Sequence, residues 1–322
     1  MHPSPVSTPP PVIDAEFSAS LCVLASGSSG NCSALVIRRG SVQRICLIDL
    51  GLTPKRTFKL LQEHGLRPDQ IDNAIVTRLD TDHFCPTWLG RSGLPRHARL
   101  RMHERHAKAL GGRDSGVGNR EEPDAGLFDS RLLPFTSDFP IDDGVRVHPI
   151  LMSHDQEGVA AFRIDLDSGD GHTSSLGFCT DLGHVTADLV DHLRDPRTQR
   201  GVDVLAIESN YCPKMQLESD RPAQLKRRIM GGSGHLSNQE ALEAVQAIRP
   251  SEHVVLLHLS RQCNDPALVA DMHAGADYAL TITNQFTPSR WVRIAPCQAA
   301  ARATPAPVVS ARIERTRTLW SV

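Results

Sequence analysis

What this sequence lacks narrows its function before any motif is considered. Its eight cysteines form no CxxC pair and show no regular spacing, so they read as reduced thiols of a cytoplasmic protein. Cys22, Cys46 and Cys179 sit inside apolar runs, where a thiol behaves as a small hydrophobe. No GxxxxGK loop is present. The Gly-rich turn at residues 26–31 is followed by a strand pattern and lacks the Lys and helix of a nucleotide-binding loop, so it reads as a tight hairpin. No run reaches the ~18 apolar residues of a membrane span. The Pro-rich start, residues 1–11, has neither the basic opening nor the apolar stretch of an export signal. A soluble chain with no membrane partner is expected. There is no excess of charge either: 35 basic against 37 acidic residues give a formal net charge of -2, so any anion site must be local.

What is present is a series of short apolar runs, each ending in polar groups. Strands are expected at 21–25, 32–37, 44–49, 72–77, 145–152, 160–166, 175–179, 204–207 and 254–257. Between them, helices are expected at 54–64, 187–193, 217–230, 239–248 and 266–273, the third of these basic and the fourth capped by Ser237 or Asn238. His103 and His106 fall on a short helix whose charged neighbours read as a solvated face. Residues 111–126 read as a mobile loop. Residues 1–19 are expected to be a flexible lead-in, 20–290 the folded domain, and 291–322 a disordered tail.

Five strand ends carry metal-compatible side chains: Asp80, Asp82 and His83 after the first, then His154, Asp181, Glu208 and His258. One histidine after an apolar run is usually a satisfied rim residue. Five polar strand ends in one chain are harder to explain that way, because carboxylates gathered without a cation repel one another. Asp49, also at a strand end, reads either as structural or as a support for metal-binding groups nearby.

The order and spacing resemble the metallo-β-lactamase-fold hydrolases, whose signature is Thr-His-x-His-x-Asp-His. Residues 77–83 read Thr-Arg-Leu-Asp-Thr-Asp-His, so Thr77, Asp82 and His83 match while Arg78 and Asp80 stand where the family has two histidines. The turn at 26–31, Thr180-Asp181-Leu182-Gly183, Glu208-Ser209-Asn210-Tyr211, the segment 234–238 and Leu257-His258-Leu259-Ser260 resemble the YycJ/WalJ-like exonucleases and the ribonuclease Z type of phosphodiesterase. The resemblance implies a four-layer αββα sandwich of the α+β class. It also implies one or two ions of Zn2+, Mn2+ or Fe2+, with Asp82, His83, Asp181 and His258 holding the second metal. Positions 78 and 80 with His154 would hold the first, and His235 would contact or protonate a phosphate.

The departures change what the first site can do. Asp80 can replace an imidazole with a carboxylate, whereas the guanidinium of Arg78 cannot ligate and can instead fork onto a phosphate. Two readings follow. One is a metal-dependent phosphodiesterase or nuclease in which Arg78, Asp82 and His235 are catalytic; the other is a non-catalytic relative that binds a nucleic acid or a phosphorylated ligand.

Overall fold

Alternating side chains of the apolar runs face two buried surfaces, which is why most of these strands read as continuously apolar. The computed structural model describes residues 17–113, 130–154, 156–169, 171–195 and 198–295. Residues 1–16 of the expected lead-in, 114–126 of the expected loop and the tail beyond 295 lie outside them, whereas residues 17–19, expected to be flexible, begin the first strand and bury Phe17 and Ala19.

One seven-stranded sheet has the order β14 (Val292–Ala295), β1 (Phe17–Ala25), β2 (Cys32–Arg39), β3 (Val42–Ile48), β4 (Ile71–Val76), β5 (Arg99–His103) and β6 (Leu132–Phe135). The second, also of seven strands, has the order β13 (Ala279–Ile282), β12 (His253–Leu257), β11 (Val204–Glu208), β10 (Thr173–Cys179), β9 (Val159–Asp167), β8 (Val145–Met152) and β7 (Phe139–Asp142). Each sheet joins an antiparallel meander to a parallel half: β3 to β6 run parallel in the first, and β10 to β13 in the second. The two halves share this plan.

Leu21, Val23, Ile48 and Ile75 of the first sheet meet Phe162, Ile164, Phe178 and Val255 of the second in the central core. The opposite faces are covered by helices. α1 (Pro54–Glu63) and α2 (Glu104–Arg113) contribute Leu61 and Leu110 to the cluster outside the first sheet. Outside the second, α3 (Ala187–His192), α6 (Asn238–Ile248) and α7 (Pro266–Met272) contribute Leu189, Val245 and Val269. Four layers result, as expected. Burial pushes the thiols of Cys22, Cys46 and Cys179 up to about 12, in keeping with inert core residues.

Several expectations need correction. The basic helix at 217–230 is two helices, α4 (Pro213–Glu218) and α5 (Ala223–Met230), because Pro222 cannot continue a helix and disfavours helical backbone at Arg221. His103 ends a strand. His106 does not face solvent: it is fully buried, with Nε2 2.9 Å from the carbonyl oxygen of Gly158. The folded region also runs past residue 290, since β14 pairs with β1 and buries Val292 and Ile294. No helix among the described residues is long and apolar enough to cross a membrane.

Candidate metal and phosphate site

Strands β3, β4, β10, β11 and β12 end on one edge of the sandwich, and each releases a polar residue there. Asp49, Asp181 and His258 follow their strands in left-handed backbone, with φ of 63°, 53° and 55°. This conformation is uncommon for non-glycine residues, which persist in it only where surrounding structure holds them. The packed sheet edge supplies that constraint.

The loop carrying Asp82 and His83 is clamped from behind by the Gly-rich turn. The Asp82 carbonyl accepts from the backbone N–H of Asn31 at 2.7 Å, and Asn31 Nδ2 lies 3.1 Å from His83 Nε2. Ser26, in the same turn, accepts from the backbone N–H of His258 through its hydroxyl at 2.8 Å. The hairpin reading therefore missed a positioning role. Gly51 makes the close approach feasible: a Cβ there would stand 1.8 Å from the Asp82 carbonyl oxygen.

Asp49 is buried and accepts from the backbone N–H and the hydroxyl of Thr77, at 2.8 and 2.9 Å. Its Oδ2 lies 2.8 Å from His83 Nδ1, which leaves Nε2 directed at Asp181, 3.1 Å from Oδ2. Asp181 Oδ1 comes within 2.5 Å of His258 Nδ1. That approach falls outside hydrogen-bonding geometry, and both ring nitrogens of buried His258 lack a hydrogen-bond partner. Glu208 is fully buried; its Oε2 accepts from the backbone N–H of Leu182 at 2.8 Å, and its Oε1 lies 2.6 Å from His235 Nδ1.

Charge follows this geometry. Burial disfavours the imidazolium of His83, but Asp181 and Asp49 outweigh it and raise its pKa well above the ordinary value. Burial likewise opposes charge on His258, and Asp181 and Glu208 overcome it, carrying the pKa to about 10. Burial raises the carboxyl of Asp181, but His83 and His258 hold it well below the usual range. His154 moves the other way, since burial and then Arg78 push it down.

Two donor groups emerge, each within 4.8 Å: Asp82, His83 and Asp181, and then Asp181, Glu208, His235 and His258. Asp181 belongs to both. Asp80 and His154 belong to neither. The Arg78 guanidinium, almost fully buried, donates from Nη1 to Asp181 Oδ2 at 2.7 Å and from Nη2 to Asp80 Oδ2 at 2.5 Å. A fixed cation thus occupies the side expected to hold the first metal. In sequence Glu208 is only a strand-end carboxylate; its salt bridge to His235 spans 27 residues, so only folding reveals it.

Donor chemistry and the unpartnered Nε2 of His258 fit a divalent ion among Asp82, His83, Asp181 and His258, because a buried polar atom without a partner is costly. Where Arg78 lies they do not.

Two sheets with helices on both outer faces and a polar, metal-compatible edge define the metallo-β-lactamase fold. The chain therefore has the metallo-β-lactamase fold, and its sequence is similar to exonucleases of that fold. It is 26% identical over 284 residues to the exodeoxyribonuclease WalJ of Streptococcus pneumoniae, covering 82% of this chain and 94% of that protein. To the exodeoxyribonuclease YycJ of Bacillus anthracis it is 25% identical over 244 residues, 75% of this chain and 83% of that one. Among solved structures, the metallo-β-lactamase-fold protein YhfI of Bacillus subtilis superposes with a TM-score of 0.56 at 13% identity, covering 84% of this chain and 98% of YhfI. A diphosphatase of the PhnP family superposes with a TM-score of 0.54 at 14% identity, covering 87% of this chain and 100% of that one. No protein-family model matches the chain.

Proposed function

We propose that the protein is a divalent-metal-dependent phosphodiesterase acting on nucleic acid, with its main ion held by Asp82, His83, Asp181 and His258. The observation that carries this reading is the convergence of Asp82, His83, Asp181 and buried His258 on one edge, with His258 Nε2 lacking a hydrogen-bond partner. Mixed imidazole and carboxylate donors suit Zn2+, Mn2+ or Fe2+. An ion there would polarise a phosphoryl oxygen and lower the pKa of water that it binds.

The chain's own side chains supply the rest. Arg78, buried between Asp80 and Asp181, fixes Asp181 beside the donor cluster and offsets part of the negative charge gathered there. Glu208 engages His235 at Nδ1 and leaves Nε2 as the ring atom for substrate, so His235 can hold a proton for the departing oxygen. Asp49 orients His83 through Nδ1, which keeps its other nitrogen on the donor cluster. The exonuclease relatives support nucleic acid as substrate. Seven free cysteines among the described residues agree with a reducing, cytoplasmic setting.

The pairing of Arg78 with both Asp80 and Asp181 favours a second reading, a binding protein without turnover, because no lone guanidinium faces solvent there. Elemental analysis of protein purified without chelator or affinity tag, with turnover of a chromogenic phosphodiester before and after chelation, separates them. We expect about one ion per chain and turnover that chelation abolishes. Protein without metal and without turnover would favour the binding reading.

A further inference from the structure

A cavity of about 380 Å³ opens beside His235 and His154, with Arg221, Arg228 and Ser28 on its walls and no acidic residue in its lining. We propose that it seats a second phosphate of a single-stranded oligonucleotide, the neighbour of the phosphodiester at the catalytic edge. This inference rests on the phosphodiesterase reading and deepens it: the substrate is a polynucleotide strand and not a mononucleotide.

Both arginines stand ready for an anion. Arg221 is held by neutral partners only, donating to the side chains of Gln262 at 3.1 Å, Gln216 at 3.2 Å and Ser260 at 3.2 Å. These bonds fix the guanidinium without neutralising its charge. Arg228 lies in the last turn of α5, and among the described residues no carboxylate pairs with it. In a chain of net charge -2, two uncompensated guanidinium groups on one cavity form a local anion site.

The cavity is rigidly coupled to the catalytic edge. The backbone N–H of His235 donates to the Ile229 carbonyl at 3.0 Å. A Cβ on Gly234 would lie 2.2 Å from the Arg228 carbonyl oxygen, so only glycine lets this loop pack on the helix end. The backbone of Arg228 is therefore packed directly against the loop that carries His235.

Size and the rim point to a strand. The volume exceeds that of a phosphate alone and falls in the range of small-ligand pockets. Leu225, on the wall, is 39% exposed and offers apolar surface to a sugar or base. Phe286 is 59% exposed, with the Arg261 guanidinium 4.8 Å from its ring centroid. Arg261 adjoins Gln262 of the cavity wall, and Gln285, beside Phe286, accepts from the Ser29 backbone N–H next to Ser28. An exposed aromatic ring beside a basic cavity is the pairing that single-strand binders use.

The test is fluorescence anisotropy of a 3′-labelled single-stranded hexanucleotide, in chelator so that no turnover occurs, titrated with salt. Arg228→Ala should weaken binding at least about tenfold and make the slope of log K against log salt less negative by about 0.7, one phosphate contact on a single strand. Arg228→Lys should restore the slope while recovering only part of the affinity. Unlabelled hexanucleotide should compete far better than a mononucleotide or inorganic phosphate. An unchanged slope in Arg228→Ala, or equal competition by the mononucleotide, overturns the proposal. Because the assay involves no turnover, a wild-type protein that cleaves nothing yet shows the Arg228 effect counts against the phosphodiesterase reading alone.

Discussion

Asp181 holds the Arg78 guanidinium through Oδ2 at 2.7 Å and faces His258 through Oδ1 at 2.5 Å, so one buried carboxylate is shared between a fixed organic cation and the candidate metal position. The guanidinium takes the half of that carboxylate that faces the side where the resemblance placed a first metal.

Removing Arg78 exposes both its structural and its blocking role. Arg78→Ala leaves Asp181 buried beside one fewer cation, and breaking such a pair costs about 3–5 kcal/mol. Urea unfolding of the metal-free variant should show a loss of that order, partly recovered on adding a divalent ion. Arg78→His should raise metal per chain from about one toward about two in elemental analysis. A count that stays at one would mean the guanidinium is not what limits the site.

Ligand and support should separate cleanly. Asp181→Ala should abolish metal binding and turnover together, since both donor groups share that carboxylate. Asp49→Asn keeps the shape and tolerates the left-handed backbone but weakens the hold on His83, so metal affinity should fall about 10- to 100-fold with the fold intact. Competition against a calibrated chelator reads both. Full metal content in Asp181→Ala would remove the ligand assignment.

His235 should behave differently from the ligands. His235→Ala should retain the ion while kcat drops about 10²- to 10⁴-fold, the usual range for losing a positioned proton donor. Glu208→Gln should also slow turnover with the ion retained, because Glu208 Oε1 sits 2.6 Å from the ring that it orients. Loss of metal in His235→Ala would make it a ligand instead, and unchanged turnover would leave it with neither role.

Metal uptake should depend on pH with a definite sign. In the metal-free protein His258 holds its proton up to about 10, so an ion must displace that proton and affinity should rise as pH rises toward that value. The same raised pKa stabilises the metal-free fold below the ordinary 6.5, and this contribution disappears as pH climbs through about 10. With metal bound, His258 carries no proton and the loss should vanish. Melting temperatures across pH 6 to 10, with and without chelator, compare the two; identical profiles would argue that no ion contacts His258.

Most core strands were legible because apolar runs of five to nine residues bounded by turns have few other solutions in a chain this long. What escaped were short or half-exposed edges. Leu132–Phe135 and Ala279–Ile282 bury too little of their side chains to stand out from loops, and Val292–Ala295 gains its place only by pairing with β1. Similarly, Pro222 was visible, but the hydrophobic spacing on either side suggested one helix where proline forces two.

By itself the sequence determined the strand ends at which metal-compatible side chains emerge, which follow from periodicity and local order, while the αββα class was implied by the resemblance of residues 77–83 and the later motifs to a known family. Tertiary structure alone decided which of those side chains meet. Asp181 and Arg78 are 103 residues apart and Ser26 and His258 are 232 apart, and no local pattern encodes contacts at such separations. The meaning of Arg78 changed most: in sequence it stood as a lost ligand, while in the fold it is a buried cation seated between two carboxylates, held there by the electrostatics that would otherwise hold a metal.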